Sequence, residues 1–350
     1  MIKKLLTTGL LTMLFAALFA QQPYKVVFYT LENLFDTIND PETNDDEFTP
    51  EGPKRWNATK MSKKLSNIER VFADITAFNS GEKLDVNDYP IVIGVSEIEN
   101  RAVLEEVVAQ RKLRPARYHI CHYDSPDRRG VDVAFLYRAD VFELEGSAAI
   151  PFNMPELPNL RTRDVVTMWG KIDGEPFYFM VAHWPSRLGG QAASAPRREH
   201  AARLMRNAAD SVRRINPEVK VVMMGDFNDD ATDASVMEIL GGCGDINAIP
   251  EGGYYNPYVN LLKSGYGTLG YRDAWNLFDN IVVSENLATG STGELKLQKA
   301  SKKFYGYIFN RPYMLQQEGQ YKGYPLRTFV TNNFQNGFSD HFPVFITIAK

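Results

Sequence analysis

Eight polar residues stand where apolar, strand-like runs of this sequence stop: Asn33, Glu97, His183, Asp226, Asn228, Asp279, Asp340 and His341. In the stretch Val219 to Asp230, VKVVMMGDFNDD, the apolar residues read as a buried strand that ends at Gly225, with Asp226 and Asn228 directly after it. A carboxylate and a carboxamide at the C-terminal mouth of a strand sit on a rigid support, beside a loop that can approach a ligand. Gly, Asp and Asn also make ordinary turns. The recurrence of the pattern in four further stretches is what points to chemistry. Oxygen donors such as Asn33, Glu97 and Asp340 suit a hard cation, Mg²⁺ before Mn²⁺ or Ca²⁺, and two histidines are too few to require zinc. Magnesium with few protein ligands keeps waters and recruits phosphate oxygens, so the chemistry indicated is metal-assisted attack of water on phosphorus.

The elements that must position these groups can be read in order. Tyr24 to Leu31 is strongly β-prone and runs into Glu32-Asn33. Thr37 to Glu51 is an acidic loop without the alternating spacing and central glycine of a calcium loop, so a solvated loop is expected. Lys60 to Phe78 has apolar residues at helical spacing, a core-facing stripe. Pro90 to Val95 reads as a second buried strand closed by Ser96-Glu97, and Glu99 is expected to share the face of Glu97 and compete for its metal. His119, Cys121 and His122 resemble a zinc cluster, but alternation on a strand sends His122 away from the other two. Asp127-Arg128-Arg129-Gly130 turns the chain into the strand Val131 to Arg138, and Asp173-Gly174 joins Val165–Ile172 to Pro176–Ala182 in a second hairpin that ends at His183. Pro196 to Ile215 reads as a helix, and Gly241 to Tyr271 as irregular; its G-x-G-x-x-G spacing at Gly265, Gly267 and Gly270 lacks the flanking strand and helix that would give it meaning. Phe278 to Ser284 carries Asp279, and Val344 to Ile348 follows Ser339-Asp340-His341 as the last strand.

Composition narrows the setting. Of 350 residues 44% are hydrophobic, enough for a sizeable core, and no repeat or linker divides residues 21–350, so one domain is expected. Residues 1–20, with Lys3 and Lys4 before an apolar run to Ala20, read as a signal peptide of a secreted or periplasmic protein. No cysteine stands directly after Ala20 to carry a lipid there, and no further segment suggests a membrane span; Cys121 and Cys243 could pair after export. Removal of two lysines and no acids takes the formal charge from −4 to −6, which argues against a tight, charge-driven nucleic-acid binder but not against a hydrolase that brings its own cation.

Six motifs in one order, Leu31-Glu32-Asn33-Leu34-Phe35, Gly94-Val95-Ser96-Glu97, Val181-Ala182-His183, Gly225-Asp226-Phe227-Asn228, Phe278-Asp279-Asn280-Ile281 and Ser339-Asp340-His341, resemble the endonuclease/exonuclease/phosphatase family. The resemblance implies an α+β, DNase I-like fold: a four-layer α/β/β/α sandwich of two mostly antiparallel sheets packed face to face, with helices outside. It implies Glu97 as main Mg²⁺ ligand, Asn33 assisting and Asp340 at the metal edge. By the same resemblance Asp226 orients or deprotonates water, Asn228 holds the phosphate, His183 contacts an ester oxygen, and His341, polarised by Asp279, stabilises developing charge. Ser96 stands where the family usually has glutamine. The stretch His183 to Gly190 is similar to that of secreted bacterial members classed as nucleases, and Arg129, Arg187 and Arg198 are candidate phosphate contacts. The activity implied is a monomeric, Mg²⁺-dependent phosphodiesterase acting on nucleic acid. The alternatives are a phosphatase or phospholipase C-type hydrolase on inositol phosphates, sugar phosphates or sphingomyelin, and a non-catalytic binding protein of the same fold.

Overall fold

Alternation along the strands decides the architecture. In strand β1 (Tyr24–Leu34), Val26 and Phe28 face one way while Val27, Tyr29 and Leu31 face the other, and all five are buried. A strand apolar on both faces must be covered on both sides. A computed structural model describes residues 23–78, 84–271 and 273–350 and shows how this is done; the expected signal segment, residues 1–20, lies outside them.

Strand β1 is central in the first sheet. It runs parallel to β2 (Val92–Ile98) and antiparallel to the last strand, Val344–Ala349. Beyond β2, β3 (Tyr118–His122) and β4 (Asp132–Arg138) form an antiparallel pair with β4 against β2. The outer face packs on helices α1 (Ala58–Thr76) and α2 (Arg101–Val108) through Leu65, Ile68, Phe72, Val103 and Val107. The second sheet runs in the order β5 (Phe142–Ile150), β6 (Val165–Ile172), β7 (Glu175–His183), β8 (Lys220–Asp226), Asp279–Ser284 and Tyr254–Tyr255. Helix α3 (Gln191–Ile215) covers its outer face with Ala201, Ala202, Met205 and Ala209. Between the sheets lies a dry core that includes Phe28, Phe135, Phe179, Val222, Met224 and Ile281. The result is the four-layer α/β/β/α sandwich expected from the motifs.

Several boundaries differ from the sequence reading for identifiable reasons. Helix α1 begins two residues earlier because the Asn57 side chain accepts the Lys60 N–H and caps it. Helix α3 begins at Gln191 and carries Pro196 inside it; Ser194 and the Gln191 carbonyl, both bonded by the Arg198 guanidinium, hold the early turns that proline would otherwise open. At the tip of the β6–β7 hairpin Asp173 and Gly174 both have positive φ (52° and 82°), the twist-matched two-residue turn. The stretch read as irregular, Gly241 to Tyr271, holds the paired short strands Gly242–Cys243 and Tyr254–Tyr255, a short helix Val259–Lys263 and the strand Leu269–Tyr271, whose hairpin partner Ala274–Asn276 lies just beyond it. Cys121 and Cys243 are both free thiols. Among the described residues no helix is long and apolar enough to cross a membrane.

At Gly94 the first sheet presents no side chain to the second. A Cβ on Gly94 would lie 2.5 Å from the Met224 sulfur of the opposite sheet. Gly94→Ala is therefore expected to overpack this contact and lower the unfolding free energy by about 1–3 kcal/mol. Urea unfolding checks this; an unchanged midpoint would mean that Met224 yields freely.

Candidate active site

The same alternation delivers polar groups to one end of the inter-sheet slot. Phe28 and Thr30 on β1, Gly94 and Ser96 on β2, Val181 and His183 on β7, Met224 and Asp226 on β8, and Ile281 and Asp279 on the neighbouring strand each share an inward face. Where the apolar rows end, polar side chains continue them. His183, Asp226 and Asp279 are register partners on three adjacent strands.

Asp279 is wholly buried and holds His341, with Oδ2 2.7 Å from Nδ1. Burial alone would lower the His341 pKa, but Asp279, its hydrogen bond and the nearby Asp340 and Asp226 outweigh it and hold the imidazolium well above the usual histidine range. The other Asp279 oxygen accepts from Thr30 Oγ1 (2.9 Å), whose hydroxyl oxygen accepts in turn from Ser96 Oγ (3.1 Å). Ser96 thus belongs to a buried relay from the first sheet to the imidazole. Ser339 fixes the loop before His341, donating to the Thr30 carbonyl (2.6 Å) and accepting the His341 N–H (3.1 Å).

Asp226 is also buried, and that burial pushes its pKa up to about 7 even though His341 pulls it down. Its Oδ1 accepts the Asn228 N–H (2.9 Å), and Asn228 sits in left-handed backbone (φ 50°) with its carboxamide donating to the Trp184 carbonyl (2.9 Å). His183 Nε2 lies 3.4 Å from Asp226 Oδ2. Burial, then Arg163 and Arg129, keep its pKa well below the ordinary value, so this imidazole is neutral. Arg163 sets the turn that carries it: the guanidinium donates to the His183 and Trp184 carbonyls (3.1 and 2.8 Å) and pairs with Asp127 (2.9 Å).

Oxygen donors line the first-sheet side. The pairing of β1 and β2 shifts register between Thr30 and Leu34, and Glu32, Asn33 and Glu97 all take positive φ there. These turns out of the strand put the Asn33 N–H on Glu97 Oε2 (3.2 Å). Arg129 lies 3.4 Å from both Asn33 Oδ1 and Glu97 Oε1. Asp340 gives one oxygen to Arg327 (2.7 Å), while its Oδ1 is buried without a partner. A buried carboxylate oxygen left open, on a residue that acts with Glu97 on the same Lys64 and Arg327, fits a hard divalent cation, which Glu97, Asn33 and Asp340 could hold.

Not every expected residue joins this group. Arg198 is wholly enclosed and paired with Asp229 (2.7 Å), so it faces no substrate. Arg187 borders the cleft beside Asn228 and Phe278, but its charge is matched by Asp229 and Asp233 (3.1 and 2.7 Å). Glu99 does not share the face of Glu97: the strand ends at Ile98, and Glu99 turns away to accept the Asp36 N–H (2.6 Å). On β3, His122 pairs with Asp132 (2.9 Å), apart from the exposed His119, so the three-residue zinc cluster does not form; His122, Asp124 and Asp132 gather instead. Thr30 and Arg163 were missed by sequence reading, and Ser96 was noted only as a departure from the family's glutamine, without a role; for Thr30 and Ser96, the two-residue period running from Val26 and Phe28, and from Val92 and Gly94, was the available signal.

A face-to-face sandwich with these groups at one end of its slot has the architecture of the DNase I-like hydrolases of phosphoric esters. Residues 25–350 match the endonuclease/exonuclease/phosphatase family, and the chain belongs to it. That family is generally dependent on divalent metal. Among solved structures the chain is similar to D. rerio TDP2 complexed with single strand DNA product (13% identity, TM-score 0.53, covering 94% of this chain and 100% of that one). It is similar also to truncated Caenorhabditis elegans TDP2 (17%, 0.54, 94% and 98%) and to a mannosyl-6-phosphatase of Bacteroides thetaiotaomicron (16%, 0.54, 93% and 100%). No curated protein matches the sequence.

The Asp279–His341 pair has a signature in pH. Its stabilisation is fully present below the unfolded histidine value of about 6.5 and is lost as pH rises through the raised folded value. Asp279→Asn removes the strongest raising influence, so the His341 pKa should fall and the alkaline loss of stability should move to lower pH and shrink. Imidazole NMR titration and urea unfolding across pH check this; identical His341 titration in both proteins would dismiss the pairing.

Proposed function

We propose that this chain is an exported, Mg²⁺-dependent phosphodiesterase that hydrolyses DNA or RNA as a monomer. The observation that carries the reading is the meeting, at one end of the slot, of a hard oxygen set (Glu97, Asn33 and the open Asp340 oxygen) with a buried Asp226 and the Asp279–His341 ion pair. Mg²⁺ bound there supplies charge neutralisation for phosphate oxygens and a more acidic water. The protein groups do the rest. A carboxyl lifted to about 7 is poised near neutral pH to accept a proton from the attacking water, and that is the role assigned to Asp226. Asn228, oriented by the Trp184 carbonyl, keeps a second amide N–H for a phosphate oxygen. His341, anchored at Nδ1 by Asp279, presents Nε2–H to an oxygen that gains charge in the transition state. His183, neutral, contributes a hydrogen bond rather than a charge. Arg129, half-exposed beside Glu97, is placed to meet a phosphate next to the cation.

The preference for nucleic acid is supported by the single strand DNA product held by the D. rerio structure of this fold. A second reading, hydrolysis of sugar phosphates, is favoured by the mannosyl-6-phosphatase of the same fold. A panel of plasmid, single-stranded DNA, RNA and sugar phosphates, each with and without chelator, separates the two. Cleavage of polynucleotide with Mg²⁺ and its loss on chelation are expected; turnover of sugar phosphate alone would decide for the second. Asp226→Asn should lower kcat by about 10²–10⁴-fold with little change in the folded state, checked by initial rates beside circular dichroism. Export is read from Lys3, Lys4 and the apolar run to Ala20. The mature chain is expected to begin near Gln21, which intact mass of the exported protein tests.

A further inference from the structure

An open cleft of ≈ 890 Å³ runs from Asn228 between residues 186–191, which follow β7, and the hairpin of Leu269–Tyr271 and Ala274–Asn276. The period of two divides that hairpin. Leu269, Tyr271, Ala274 and Asn276 line the cleft, whereas Gly270 and Trp275 face the other way; there Trp275 stacks on Phe342, the neighbour of His341 (ring centroids 6.0 Å apart), and meets Tyr324 edge-on (4.9 Å). Both walls are tied to the loop that carries Asn228. From the hairpin side Asp230 accepts the Asn276 carboxamide N–H (2.9 Å) and the Leu277 N–H (2.7 Å), and from the other side Arg187 Nε donates to the Asn228 carbonyl (2.8 Å). A group lodged between the walls therefore sits at a set displacement from the amide assigned to phosphate.

The surface offered there is apolar. Leu188 on one wall is 81% exposed and Tyr271 on the other 58%, and large apolar side chains bared to one cleft mark a contact surface. Among the described residues no Asp or Glu lines the cleft, and its one cation, Arg187, is matched by Asp229 and Asp233 (3.1 and 2.7 Å) and rests on the Phe278 ring (4.4 Å). Polar side chains on the walls are committed as well, Asn276 to Asp230 and Gln191 Nε2 to Asp233 (3.3 Å). Such a cleft has little to neutralise a second phosphate and few groups for the hydroxyls of a sugar. It suits a flat, uncharged ring joined to the phosphate held at Asn228.

We propose that this cleft is a base subsite, in which an unpaired nucleobase next to the reacting phosphate of a polynucleotide stacks on Tyr271 while Leu188 closes the opposite side. Stacking accepts every base, because each has a π-face. A base so placed has left its duplex partner, so single strands are bound in preference to double. The inference rests on the nucleic-acid reading above and adds to it what grips the polymer beyond the phosphate.

The test uses the full chain carrying Asp226→Asn, so that substrate is held with Mg²⁺ and scarcely cut, and measures fluorescence anisotropy with a labelled oligothymidylate and with its abasic counterpart of equal length and charge. The oligothymidylate is expected to bind about tenfold more tightly. Adding Tyr271→Ala should bring the two level, Tyr271→Phe should keep the preference, and Leu188→Ala on the facing wall should reduce it. Equal binding of the two oligomers before any further substitution overturns the proposal, as does a preference that survives both Tyr271→Ala and Leu188→Ala. A substitution that weakens both oligomers alike also overturns it, since backbone phosphates and not a base would then be what the cleft holds. If the unaltered protein cuts DNA with Mg²⁺ but the oligomers bind equally, the subsite falls and the nuclease stands; if no polynucleotide is cut or bound, both fall.

Discussion

The rest of the structure depends on keeping charge at the edge of a dry core. The two sheets meet over Phe28, Phe135, Phe179, Val222 and Ile281, and the same inward rows end in Asp226, Asp279 and His183 with no intervening layer. Ionised groups so placed are tolerated only in partnership. Asp279 is accordingly given an imidazolium on one oxygen and a hydroxyl on the other, and Asp226, with fewer partners, is shifted towards its neutral form. The difference between these two carboxylates, one locked in an ion pair and one near its titration point, follows from what each strand end places beside it. It is also the difference between a group that orients and a group that can exchange a proton.

The oxygen donors of the first sheet arise by another route. Asn33 and Glu97, like Asn228 across the slot, sit in left-handed backbone that branched or bulky residues avoid. Such backbone is retained where surrounding structure enforces it. Here the enforcing structure is visible: the register shift between β1 and β2, the Asn33 N–H on Glu97, and the Asn228 N–H on Asp226. Each departure from regular strand turns a side chain out of the pleat and into the cleft.

Much of this was legible in the sequence because strands have a period of two and the site lies at their ends. Asp226, Asp279 and His183 could be read because long apolar runs precede or follow them. Glu99 was misread for the same reason: the period holds only while the strand continues, and the turn after Ile98 ends it. The roles of Thr30 and Ser96 could not be read because a hydroxyl in a strand is ordinary until the opposite sheet presents Asp279 to it. Arg198 and Arg187 illustrate a different blindness. A sequence records a guanidinium but not the aspartates folded round it, and Asp229 and Asp233 reach these two arginines from a separate strand end.

The register of the second sheet has an implication for how such a protein can diversify. His183, Asp226 and Asp279 are neighbours through the backbone ladder, so their lateral separation is one strand repeat, about 4.8 Å, whatever the connecting loops contain. Insertions after His183 or ahead of Asp279 can reshape the rim and exchange one cargo for another while the ruler beneath keeps its gradations.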